Sequence, residues 1–343
     1  MRALVTGSVG FFGGILKDRL LSDGWEVVGV DRLVDAPQPG YAPMVVDIRD
    51  AAGFGKTVRG CKPDVIFHCA AVLAHDRKNR AGLWSTNVDG TACVAQSAIQ
   101  AGVGALVFIS SNCLWSTSWD RPVTENDVPA PVEIYGRSKL AGEEHLLSLS
   151  SELAVKVVRC PTIVAAGRLG LLSILFEFIH EGRRVWLVGD GGNRYQFVSA
   201  DDLAQACLML AGSPASGVFN VGSDNVPTVK EMLIGVIERA GTRARLTELP
   251  RKPAIAAMRL LSSVGLSPLG PYHYRMIASN FEFDTSRLRK ATGWLPTTGN
   301  TEMLWGAYQF YVTHLDQLSR AHTGSPHRSL SGLGALRIVK WLS

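Results

Sequence analysis

The segment Tyr135-Gly136-Arg137-Ser138-Lys139 sets a phenol and an ammonium four residues apart. On a helix this spacing places both side chains on one face, about one turn from each other. A free phenol titrates near about 10 and is a poor base at neutral pH, but a neighbouring cation favours the phenolate. Ser110 and Ser111 stand at the end of an apolar run, Ser111 24 residues before Tyr135. A second signal is Thr6-Gly7-Ser8-Val9-Gly10-Phe11-Phe12-Gly13. Glycines at a strand-to-helix turn let the backbone approach a pyrophosphate, and the helix N-terminus supplies amide donors and a favourable dipole. Asp31 lies 24 residues beyond Gly7 and ends the next strand-like run. A carboxylate there accepts ribose hydroxyls and repels a 2′-phosphate, which predicts NAD rather than NADP. Arg32 beside it keeps NADP open, because an arginine pairs with such a phosphate.

Positioning these groups takes alternating strands and helices. Strands are predicted at Ala3–Thr6, Glu26–Asp31, Met44–Asp47, Asp64–His68, Ala105–Ser110 and Val155–Arg159, and helices at Phe12–Ser22, Leu83–Ala101 and Ser138–Ser151. Several strands are apolar on both faces, as strands covered by helices on each side of a parallel sheet must be. The rhythm predicts an α/β fold, a Rossmann-type doubly wound parallel sheet. Past residue 160 it becomes irregular. Val218–Val221 is expected to rejoin the sheet, and a helical stretch, Ala254–Leu266, sits among prolines and glycines. The expected division is a dinucleotide-binding domain of 1–160 plus about 201–222, a smaller C-terminal substrate domain of about 161–200 and 223–316, and a tail of 317–343.

Composition narrows the classes. With 46% hydrophobic and 19% charged residues, the 343-residue chain is neither disordered nor fibrous. A net charge of +5 is far from a nucleic-acid binder's excess, so no nucleic-acid partner is expected. The six cysteines contain no Cys-x-x-Cys and no Cys/His ligand spacing, which predicts reduced thiols, a cytoplasmic protein and no metal. The N-terminus opens directly into a strand-like run, so a signal peptide is not expected. The charge-free stretch Thr91–Trp119 is broken by Gly102 and Gly104 and reads as a buried helix and strand rather than a membrane span.

The glycine spacing Thr-Gly-x-x-Gly-x-x-Gly resembles that of extended short-chain dehydrogenases/reductases, the NAD-dependent epimerase/dehydratase group. Further segments agree in order over residues 2 to about 312. Asp47-Ile48 resembles the pair that holds adenine, His68-Cys69-Ala70-Ala71 the His-x-Ala-Ala loop, and Asn87 the structural asparagine. Phe219-Asn220-Val221-Gly222 and Gly293-Trp294-Leu295-Pro296 match late signatures. Singly, His68, Asp47 and Asn87 read equally well as satisfied polar groups. The resemblance implies NAD in contact with Gly7, Gly10, Phe11, Phe12, Gly13, Asp31, Arg32, Asp47, Ile48, Cys69, Ala70, Ala71, Asn87, Ser110, Tyr135, Lys139 and Pro161. It implies that Ser111 hydrogen-bonds the substrate hydroxyl and that Tyr135 takes its proton while hydride leaves the same carbon. Lys139 also holds the nicotinamide ribose. In related 4,6-dehydratases the catalytic Thr is followed by Asp-Glu; here Asn112 and Cys113 follow Ser111, which disfavours dehydration. Cys113 matches a catalytic cysteine of GDP-fucose synthases, although no histidine stands at 161–175, and an inert thiol is the competing account. By elimination the expected reaction is C4 epimerisation of a nucleotide sugar through a 4-keto intermediate.

At the substrate end, nucleotide-sugar members carry Arg-Asp-Phe-Val, whereas this chain has Arg194-Tyr195-Gln196-Phe197-Val198. Tyr195 takes the arginine's position and Arg194 sits one residue early, which reverses side-chain direction in an extended segment. Asn112, Tyr195, Arg194 and Arg275 are the substrate-binding candidates besides Ser111, and His75 reads as a loop histidine. The apolar stretch 249–275 is similar to that of 3β-hydroxysteroid dehydrogenases, so a 3β-hydroxy/keto dehydrogenase of an apolar substrate is an alternative. A non-catalytic dinucleotide sensor is another, which the presence of Tyr135 and Lys139 opposes. A homodimer follows from the resemblance. The tail holds Arg320, Arg328, Arg337 and Lys340 with no acid, leaving the rest of the chain nearly neutral. Either weak membrane-surface contact or packing on the body or a partner subunit is expected of it.

Overall fold

A computed structural model of the chain describes residues 1–73, 79–167, 169–170, 172–263 and 276–320. Its first half alternates as the sequence pattern predicts: β1 (Arg2–Thr6), α1 (Phe11–Ser22), β2 (Glu26–Asp31), β3 (Tyr41–Val45), α2 (Ala51–Cys61), β4 (Val65–His68), α3 (Arg80–Trp84), α4 (Gly90–Ala101), β5 (Ala105–Ile109), α5 (Ile134–Ser148) and β6 (Ala154–Arg159). There follow β7 (Thr162–Val164), α6 (Leu172–His180), β8 (Arg184–Val188), β9 (Phe197–Ser199), α7 (Ala200–Gly212), β10 (Gly217–Asn220), α8 (Val229–Ala240), β11 (Arg245–Leu249), α9 (Arg251–Ser263), α10 (Ser286–Thr292), α11 (Asn300–Thr313) and α12 (Leu315–Arg320).

Seven strands pair in parallel in the order β3-β2-β1-β4-β5-β6-β10. The period of two sorts their side chains into two cores. Ala3, Val5, Val65, Phe67, Val107 and Ile109 face α1 and α7, meeting Phe12, Leu16, Leu203 and Cys207. Leu4, Ile66, Leu106 and Phe108 face the other way, onto Phe54 and Val58 of α2, Val94 and Ala98 of α4, and Leu146 of α5. Strand order reverses between β1 and β4, and in such sheets the crevice beyond the carboxyl ends at the reversal is where ligands bind. β1, β4, β5 and β6 end there at Thr6, His68, Ile109 and Arg159.

Several boundaries depart from expectation, among them the start of α5, expected at Ser138 and found at Ile134; two others have identifiable reasons. The strand expected at Met44–Asp47 pairs instead over Tyr41–Val45, with Val27 opposite Tyr41 and Asp31 opposite Val45. Pro43 lies inside it and lacks an N–H, which is tolerated because β3 is the edge strand. The expected helix Leu83–Ala101 begins at Arg80 and carries a π turn at Ser85–Asp89. Val218–Val221 does rejoin the sheet, as β10 beside β6. Beyond the sheet, β8 pairs with β11 and β7 with β9. Phe176, Val185, Leu187, Met232, Val236, Leu304 and Tyr308 form a separate apolar cluster among α6, β8, α8 and α11. The Thr228-x-x-Glu231 capping box that starts α8 is complete: each side chain accepts the other residue's backbone N–H. No helix among the described residues is long and apolar enough to cross a membrane.

Candidate active site

The glycine turn is a backbone-on-backbone contact. Gly7 adopts φ +71°, and a Cβ there would stand 2.8 Å from Cα of Ala70. A Cβ on Gly13 would overlap the Gly7 carbonyl oxygen. Gly7 therefore lies flush against the Cys69–Ala70 backbone and Gly13 against Gly7, at the start of α1, whose N-cap, Gly10, makes no side-chain bond. Asp31 ties the turn to β2: its carboxylate accepts the N–H groups of Val9 and Leu33, both at 3.1 Å. Arg32 is exposed, and its charge together with the Arg49 pair at 2.6 Å draws the Asp47 carboxyl down to about 2. The Arg49 hydrogen bond is the main cause. Ile48 is buried against Gly90 at the start of α4, while the Phe12 side chain fills the core beneath the turn.

His68 is fully buried, and its donors and acceptors balance in one way. The Thr91 hydroxyl gives its proton to the Asn87 carbonyl at 2.7 Å, so it accepts from Nε2 of His68 at 2.9 Å. Nδ1 is then the acceptor, and Thr6 donates to it at 2.7 Å. Burial, with the charge of Lys139, pushes the imidazole down to about 3, so it is neutral at physiological pH. His68 is thus a clamp joining the ends of β1 and β4 to α4. Asn87, in the π turn, bonds both backbone groups of Val72 at 2.8 and 3.0 Å and donates to Ser138 at 3.0 Å. It fixes the Ala70–Val72 loop against α5. Burial also raises the Cys69 thiol to about 12, keeping it protonated.

On α5, Lys139 is buried with Nζ donating to the Ile109 carbonyl at 2.7 Å and lying 4.5 Å above the Phe108 ring. Burial lowers its ammonium to about 8, with the Glu143 carboxylate pulling the other way. The first turn of α5 rests directly on the Ser111–Cys113 loop, since a Cβ on Gly136 would overlap the Cys113 carbonyl oxygen. Ser111 caps that loop by accepting the Cys113 N–H at 3.1 Å. Ser111, Cys113, Tyr135 and Lys139 are thereby gathered at the carboxyl end of β5. Pro161 follows Cys160, whose carbonyl accepts the Asn112 N–H at 2.9 Å.

Asn112 and Tyr195 also meet: Nδ2 of Asn112 donates to the tyrosine hydroxyl at 2.9 Å. Arg194 does not join them. Its guanidinium donates to the Val226 carbonyl, just ahead of α8, as alternation along an extended segment requires. His75, Arg275 and the tail past residue 320 lie outside the described residues.

One group escaped the sequence reading. Arg159 at the end of β6 forms a buried ion pair with Glu143 at 2.7 Å, lies 5.1 Å over the Trp115 ring, and donates to the Glu125 carbonyl at 3.3 Å. It joins α5 to the chain following Ser111. Glu143, four residues after Lys139 and so on the same helical face, is its one local mark, and it names no partner.

A model of the NAD dependent epimerase/dehydratase family matches residues 3–222. The UDP-glucose 4-epimerase of Mycolicibacterium smegmatis is 30% identical over 332 residues, covering 91% of this chain and 98% of the relative. The chain belongs to the NAD dependent epimerase/dehydratase family. It is also 34% identical to the uncharacterized protein y4nG of Sinorhizobium fredii, over 95% of this chain and 82% of that one. Its fold is that of the Thermotoga maritima UDP-glucose 4-epimerase crystallised with UDP-glucose, with a TM-score of 0.75 at 22% identity, covering 92% and 100% of the two chains. The family's cofactor fits the residues present: the Gly7–Gly13 turn opens α1 at Gly10 with no side chain capping its first N–H groups, and an uncapped helix N-terminus suits a pyrophosphate. The Ser110 hydroxyl, buried at the end of β5, has no partner among the described residues, as a donor reserved for a ligand would not.

Proposed function

We propose that this protein interconverts nucleotide sugars epimeric at C4, through a 4-keto intermediate, with bound NAD. The observation that carries this reading is the packing of the first turn of α5 onto the Ser111–Cys113 loop. It brings Tyr135, Lys139 and Ser111 to one strand end, and we assign them as base, cation and hydroxyl-orienting group. NAD, when bound, supplies the hydride acceptor and donor. Ser111 orients the sugar hydroxyl and Tyr135 accepts its proton; Lys139, an ammonium below about pH 8, favours the phenolate and holds the nicotinamide ribose. Asn112 and Cys113 provide no carboxylate for removing water, so hydride returns to C4, on its opposite face, and Tyr135 gives the proton back to the C4 oxygen. Cys113 acts only if C3 or C5 also exchanges.

The segments about 161–200 and 223–316 are assigned to the sugar nucleotide, with Tyr195 its polar contact. A homodimer is part of this proposal, as is a cytoplasmic setting, which six free thiols support. The test is turnover of UDP-, GDP- and dTDP-sugars in heavy water by the wild type and Tyr135→Phe. We expect C4 inversion without deuterium uptake, and a loss of at least about a thousandfold in kcat in the variant, with NAD retained. Full activity in Tyr135→Phe would remove the base. NADH accumulating only with hydroxysteroids would replace the epimerase with the dehydrogenase.

A further inference from the structure

The chain's positive charge is segregated. Residues 241–263 hold Arg243, Arg245, Arg251, Lys252 and Arg259 against Glu248 alone. Glu248 is engaged by Lys230 of α8 at 2.8 Å. Together with the basic tail, this stretch carries more than the whole chain's +5, so the remainder is net negative. The described part of the surplus is concentrated on β8, β11 and α9. Arg184 and Arg245 are register neighbours on paired strands, both exposed. Like charges side by side on a sheet repel, and the repulsion is relieved by an anion from outside. None of Arg184, Arg243, Arg245, Arg251, Lys252 and Arg259 forms an ion pair among the described residues.

α9 adds an apolar component facing the wrong way for a core. Ala254, Ile255 and Met258 turn inward and are half-buried. Pro253, Ala256, Ala257 and Leu260, at spacings of three, four and seven, are exposed, and Leu260 is 66% accessible. Lys252 and Arg259, seven residues apart, flank this ridge. We infer that the β8–β11–α9 face docks on the surface of an anionic lipid bilayer, with the α9 ridge entering the headgroup boundary and the cations on lipid phosphates. Basic residues beside an apolar helical ridge suit that boundary. The chain's own tail is the wrong sign to cover this face. A nucleic acid would gain nothing from Leu260, and residues 241–263 offer it no aromatic ring for stacking.

The test is co-sedimentation of the full chain with vesicles of phosphatidylcholine alone, or containing about a third phosphatidylglycerol, at low and high salt. Binding is expected to the anionic vesicles only, and to weaken with salt. Arg251→Glu with Lys252→Glu and Arg259→Glu should reduce it by about a hundredfold, and Leu260→Ser by about fivefold. Melting transitions should be unchanged, because these side chains are exposed. Reversal of Arg328, Arg337 and Lys340 in the tail is the comparator and should act less. The inference is overturned if anionic vesicles are not bound, or if the tail variant alone abolishes binding. It is also overturned if Leu260→Ser has no effect while duplex DNA competes, which would make the face a general polyanion surface.

Discussion

The Gly7/His68 end of the crevice and the Tyr195 end, proposed above to take the substrate, are built in opposite ways. Around Gly7 and His68, polar groups are committed to the chain itself: Thr6, Thr91, Asn87 and Ser138 complete one hydrogen-bond network, and Gly13 has no room for a methyl group. At the other end, the Tyr195 hydroxyl is held by Asn112, with Thr162 at 3.4 Å, and Arg194 is exposed. The first end suits a ligand that never changes. The second suits a substrate whose identity differs among relatives, because few bonds must be broken to refit it.

The junction between the two ends should be the most sensitive. Glu143→Ala leaves the Arg159 guanidinium buried without its carboxylate, and an uncompensated buried charge costs about 3–5 kcal/mol. Chemical denaturation should show that loss; a loss below about 1 kcal/mol would mean that α5 is held by its apolar face alone. Next comes the cofactor end. His68→Leu removes two buried hydrogen bonds and should cost about 2 kcal/mol at neutral pH. Its pH dependence is more telling. The folded imidazole titrates near 3 against an ordinary 6.5, so below 6.5 the unfolded chain takes up a proton that the fold refuses. Wild-type stability is therefore lost as pH falls from 6.5 towards 3, by about 5 kcal/mol in all. The variant lacks this loss, so the two stability curves should cross near about pH 5. Parallel curves would mean that His68 is not the acid-sensitive group.

The same contrast governs what could be read from the sequence. The sheet and the cofactor end were legible because glycine spacing, strand-end polar residues and period-two apolar runs are local signals. Even Pro43 shifted its strand by only a few residues, and the edge position explains how. The network around Arg159 was not legible, since it joins residues 115, 125, 143 and 159 across three elements. Nor was the pairing of β8 with β11, whose partners are separated by some sixty residues and carry no local mark. The direction of Arg194 was legible, because alternation along an extended chain is itself local.

That direction yields the smallest and sharpest of these expectations. Adjacent residues in an extended segment point to opposite sides, and here Tyr195 points to Asn112 while Arg194 points to Val226. If the substrate end is organised by the tyrosine, Tyr195→Phe strips the Asn112 amide of its acceptor and should raise KM for the sugar nucleotide by about tenfold. Arg194→Ala changes an exposed side chain and should move KM by no more than about twofold. The reverse order would mean that the arginine swings towards the diphosphate when substrate arrives, and that this end is rebuilt by binding. Comparable effects in both would mean that the strand carrying them moves as one piece. Only the predicted order is compatible with a substrate end already set before the sugar enters.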